Sequence, residues 1–83
     1  MKIEELVPLT NGLSVHDGPR TMVCDRARIT RIADDAVDMS FLIAGTDIVP
    51  RLRLRKDRID RGTPEDLARV VESVARRALA HVE

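Results

Sequence analysis

The chain has almost no aromatic residues. Phe41 is the only one among 83, and Trp and Tyr are absent. A core must then be assembled from Val, Ile, Leu, Met and Ala, and the stacking platforms that hold single-stranded nucleic acids are missing. There is one cysteine, Cys24. No internal disulfide can form, and a free thiol suits a reducing compartment, so a cytoplasmic protein is expected. Neither sign of charge is in excess: 14 basic and 14 acidic residues leave a net charge of zero. That balance argues against a protein built throughout for nucleic acid. No run approaches the ~20 apolar residues of a membrane span. The opening "MKIEELVPLT" has no apolar stretch of signal-peptide length. No membrane partner is expected.

Reactive groups are also scarce. Cys24 would need a base beside it to act as a nucleophile, and His16 is the only histidine outside the C-terminal helix. A small buried thiol is the expectation. His16-Asp17 resembles the dyad of HD phosphohydrolases, but the further His and Asp ligands of those enzymes have no counterpart in this chain. Asp34, Asp35 and Asp38 lack the alternating acidic positions, the glycine and the distal Glu of a calcium loop. The sequence predicts no catalytic residues, no metal and no cofactor.

What is present suits one small domain spanning residues 1–83, with a β-rich meander at about 5–57 and a helix at 63–82. A chain this short buries only roughly 60–65% of the surface exposed by its unfolded form, so stability is modest. The helix is the clearest element. Thr63 is a suitable N-cap, Pro64 stands at the first helical position, and Glu65 and Asp66 follow where the helix dipole favours negative charge. Leu67, Val70, Val71, Val74, Ala75, Ala78, Leu79 and Val82 fall on one face at helical spacing. Glu65–Arg69 and Glu72–Arg76 stand at i,i+4 on the other.

The strands are read from alternation. In "AVDMSFLIAG", Val37, Met39, Phe41 and Ile43 share one face and Asp38, Ser40 and Leu42 the other. "TMVCDRARITRI" alternates imperfectly, which predicts a bulge near Asp25–Arg26 or Thr30–Arg31. Asn11-Gly12 is a type I′ hairpin signal joining a strand near Leu6–Leu9 to one near Leu13–Val15. A helical turn over Ile3–Val7 is the alternative. The expected fold is therefore α+β: a small antiparallel sheet of three to five strands, with one C-terminal amphipathic helix packed on one face. The other face is left to water or to a partner.

The stretch "PRLRLRK" gives that second face its character. Leu52 and Leu54 are expected to point inward, and Arg51, Arg53 and Arg55 outward. Residues 51–61 carry six basic and two acidic side chains. With Arg26 and Arg28 of the neighbouring strand and Lys56 and Arg58 beyond, they form the candidate binding face. The order of strands before a final helix resembles that of a double-stranded-RNA-binding domain. However, the turn opening the last helix is Thr63-Pro64-Glu65-Asp66, acidic where that family presents lysines, so the family is not assigned. The expected function is a small non-enzymatic protein-interaction module of self-associating, adaptor or inhibitor type. Its protein partner is unknown, and a homodimer is expected. The alternative is a nucleic-acid backbone binder using the basic strand at 51–58.

Overall fold

The computed structural model describes residues 1–81. Its elements, in chain order, are a 3-10 turn at Ile3–Glu5 running into α1 (Leu6–Thr10), β1 (Ser14–Asp17), β2 (Arg20–Ile32), β3 (Ala36–Ile43), β4 (Arg51–Arg55), α2 (Lys56–Arg61) and α3 (Pro64–Ala80). The four strands form one antiparallel sheet in the order β1-β2-β3-β4. The α+β class, the single sheet and the C-terminal helix are as the sequence predicts. The radius of gyration is 12.3 Å.

The helix α3 opens as expected. The Thr63 hydroxyl accepts from the Asp66 N–H at 3.2 Å, and the Asp66 carboxylate accepts from the Thr63 N–H at 3.5 Å. These are the reciprocal bonds of a capping box. Leu67, Val71, Ala75 and Leu79 are buried, and Val70, Val74 and Ala78 pack at the margin of the same core. Leu79 is thus inside the domain; Val82 lies outside the described residues. Arg76 reaches Glu72 at 3.2 Å and also donates to the His16 carbonyl at 3.0 Å, tying α3 to β1. Arg69 pairs with Asp66 at 3.7 Å, one turn position short of the Glu65 expected.

Two expectations are corrected. The first is the N-terminal hairpin: residues 3–10 are helical, not a strand. A type I′ turn requires positive φ at both central residues, and Asn11 has φ −67°. Only Gly12, at φ +86°, is left-handed, in the turn that leads into β1. Leu6 and Thr10, one helical turn apart, are both buried. The Thr10 hydroxyl donates to the Leu6 carbonyl at 2.9 Å and lies 3.8 Å from the Met39 sulfur. Pro8 is the third residue of α1, within its first turn, where proline is tolerated. Asn11 is used differently: its side-chain oxygen accepts from the Ala27 N–H at 2.8 Å.

The second correction concerns the basic stretch at 51–58. The strand ends at Arg55, and Lys56–Arg61 form α2. Continued alternation would bury Lys56. A helix instead buries Ile59 completely, with Asp57 in its first turn and Arg58 and Arg61 in its last, as the dipole prefers. The β1–β2 turn is the two-residue Gly18-Pro19, with Gly18 at φ +62°. His16 and Asp17 are therefore strand residues.

All the helices lie on one side of the sheet. Leu6, Ile59 and the buried residues of α3 join a core with Val37, Met39, Phe41, Ile43, Leu52 and Leu54. Among the described residues, no helix lies on the opposite face.

Candidate interaction face

The sequence predicts one bulge at either of two positions; the structure has one at each, and together they decide which charges share the open face. The β2–β3 register shifts between Asp25 and Arg28 and again between Ile29 and Arg31. Each bulge adds one residue to β2 and so resets the inward–outward alternation. Asp25, Arg28 and Arg31, three residues apart each time, consequently stand opposite Leu42, Ser40 and Asp38, which are alternate residues of β3. On the far side of β3, Asp38 faces Arg53, Ser40 faces Arg51 and Ala36 faces Arg55. Two rows cross the sheet: Arg28–Ser40–Arg51 and Arg31–Asp38–Arg53. The bonds Phe41 N–H to Pro50 carbonyl and Ile43 N–H to Ile48 carbonyl continue the β3 pairing past β4. They set Val49 opposite Leu42, with Asp25 on the other side.

The structure thus brings together Arg28, Arg51, Arg53 and Arg55 of the residues expected on this face. Arg31, not anticipated, joins them. Its signal was in the sequence: once a bulge is placed at Thr30–Arg31, the facing of Arg31 follows. Arg26 does not join the ladder. It is the bulge residue itself, at φ +50° in the left-handed region, and its N–H bonds the Asp25 carboxylate at 2.8 Å. Lys56 and Arg58 belong to α2. Arg58 lines a separate depression of about 740 Å³ between α2 and α3, with Arg61, Arg69 and Arg77 over Val70 and Val74.

At the centre of the open face Asp38 is clamped by Arg53, with Nε at 2.8 Å from one carboxylate oxygen and the terminal nitrogen at 3.3 Å from the other. The Arg53 hydrogen bond, together with the charges of Arg53 and Arg31, holds the Asp38 carboxyl below its ordinary range. Arg53 is held more firmly protonated in return. Arg55 has a looser partner in Asp57 at 3.6 Å. Among the described residues, Arg28, Arg31 and Arg51 form no ion pair. Ser40 lies only 3% exposed between Arg28 and Arg51. Arginine stems cover neighbouring small residues in this way while their heads stay in water. The face holds a depression of about 540 Å³ lined by Arg28, Thr30, Asp38, Ser40, Val49 and Arg51–Arg53. Val49, 52% exposed, supplies an apolar rim.

Cys24 is on the other side of the sheet, opposite Ile43 and fully buried. Burial, reinforced by the negative charge of Glu72, pushes its thiol up to about 11. It is protonated at neutral pH and packs as a small apolar residue. No helix among the described residues is long and apolar enough to cross a membrane. No family model, curated protein or solved structure matches the chain.

Proposed function

We propose that the protein is a non-enzymatic interaction module that holds an acidic partner protein on the open face of its sheet. One observation carries this reading. Two guanidinium groups, Arg28 and Arg51, form no ion pair among the described residues and line a depression on a helix-free face, with Arg31 beside them opposite Asp38. Guanidinium groups are planar, permanently charged and weakly hydrated, which suits them to carboxylates at a protein interface. The neighbouring Leu42 and exposed Val49 offer the apolar contact that a protein partner uses and a phosphate backbone does not. Asp25 and Asp38 on the same face, and the lack of aromatic platforms, weigh against nucleic acid. The adaptor form of the reading is favoured over self-association, because the apolar stripe of α3 is occupied within the domain.

The test is a pair of titrations followed by amide NMR at low salt, one with a Glu-rich peptide containing Leu and one with a DNA duplex. The peptide is expected to shift the amides of residues 28–31, 38–42 and 49–53. The charge-reversed variant Arg28→Glu/Arg51→Glu should lose the response. A salt-sensitive response to the duplex, with none to the peptide, would replace this reading with backbone binding.

A further inference from the structure

We infer that the partner binds by strand addition: an extended acidic segment joins the outer edge of β4 as a fifth, antiparallel strand. The inference rests on the reading above and deepens it, naming the partner's conformation and residue pattern. It starts from the pairing of β3 with β4. The Phe41 and Ile43 N–H groups bond toward the Pro50 and Ile48 carbonyls, so odd-numbered β3 residues turn their backbone groups toward β4. Their partners, Leu52 opposite Met39 and Leu54 opposite Val37, turn theirs toward β3. The Lys56 N–H, bonded to the Asp35 carbonyl, keeps the same phase. Arg51 and Arg53 must therefore present N–H and C=O outward, and Arg55, whose carbonyl opens α2, presents its N–H. No backbone bond from elsewhere in the described residues reaches these groups. Unlike β2, the strand runs without a bulge along β3 from Arg51 to Arg55. β4 is a bulge-free sheet edge, and such an edge is a template for another strand.

The side chains select what can occupy it. Residues of an added strand opposite Arg51, Arg53 and Arg55 fall on the open face, with Cβ atoms about 4.5–5.5 Å from those of the arginines. A carboxylate there meets the unpaired guanidinium of Arg51, or the exposed heads of Arg53 and Arg55, which it shares with Asp38 and Asp57. Residues between them fall on the side of Leu52 and Leu54 and are apolar. A second copy of this chain is the wrong occupant: an antiparallel β4–β4 pair centred on Arg53 would set Arg53 against Arg53 and Arg51 against Arg55, like charges directly opposed. The same arginines that repel a copy attract an acidic strand.

The test uses a synthetic peptide in which Glu and Val alternate, with two N-methylated forms of it. Methylation at the Glu positions blocks the N–H groups that would face β4; methylation at the Val positions blocks those that face away. The inference expects the unmodified and Val-methylated peptides to bind. The Glu-methylated one should be weaker by at least about tenfold, the loss of two or three hydrogen bonds. Hydrogen exchange at the Arg51 and Arg53 amides should slow by about tenfold on binding, as for newly paired backbone. Equal binding of all three peptides, with those amides unprotected, would overturn strand addition and leave an acidic partner on the open face standing. Failure of the unmodified peptide to bind would overturn both.

Discussion

Leu54→Ala tests the facing of β4, on which the whole reading of the open face depends. Leu54 is 3% exposed, opposite fully buried Val37. The substitution removes about three methylene-sized groups at ~0.8 kcal/mol each, roughly 2.4 kcal/mol of transfer free energy. The cavity left because the surroundings relax only in part raises the expected loss to about 3–4 kcal/mol. A chain of 83 residues has a total stability of roughly 4–12 kcal/mol, so the variant should be near its limit of folding. Its Tm should fall by about 12 °C or more, since each kcal/mol shifts a domain of this size by about 4–8 °C. The control is Arg51→Ala, an exposed site where about 0.5 kcal/mol or less is expected. Unfolding must be followed by far-UV circular dichroism, because the chain has neither Trp nor Tyr. If Leu54→Ala lost less than about 1 kcal/mol while Arg51→Ala lost more, β4 would be slipped by one residue. Its arginines would then point into the core.

The remaining predictions concern three other groups. Cys24 should alkylate slowly in the native protein at neutral pH, and rapid labelling would show an exposed thiol in place of the buried one. Because its folded pKa is raised from 9.0 to about 11, its contribution to stability is complete below pH ~9 and fades as pH climbs through about 11. Asp38 is shifted the other way by the Arg53 hydrogen bond and the charges of Arg53 and Arg31, so its contribution is present above the ordinary carboxylate range and is lost as pH falls through the depressed value. Carboxylate NMR should find that titration below the usual range and moved upward in Arg53→Ala; no movement would contradict the clamp. Thr63→Ala removes one half of the α3 capping box and should cost about 1 kcal/mol in a denaturant melt. A neutral result would mean that the helix start is held by its other contacts.

The sequence was most legible where one force dominates. The α3 pattern of cap, proline, acidic first turn and apolar stripe agrees at every level, and it folds as read. Arg51, Arg53 and Arg55 against Leu52 and Leu54 are equally plain, because period-two alternation has only two solutions and burial picks one. The N-terminus was misread because Asn11-Gly12 is only a local signal. Burial of Leu6 and Thr10 one turn apart outweighed it, and Asn11 caps the Ala27 amide instead of turning a hairpin. The end of β4 was missed because Lys56 and Arg58 extend a basic run in composition while Ile59 breaks its period. Arg31 and Arg26 exchanged places on the face for a different reason. The position of a bulge is a three-dimensional fact, and moving it by one residue changes which arginine is presented.

Arg26 and Thr30 therefore have a role that neither side chain reveals. Each is a residue that β2 has and β3 does not need. Without them Asp25, Ala27, Arg28, Ile29, Arg31 and Ile32 would pair consecutively with Leu42, Phe41, Ser40, Met39, Asp38 and Val37, and every one of those side chains would keep its present side. The pairing pattern would survive; the local twist that bulges impose would not. Two surplus lengths of backbone thus govern shape independently of chemistry. Shortening the hairpin by them would flatten the arginine face without changing a single charge that lines the depression.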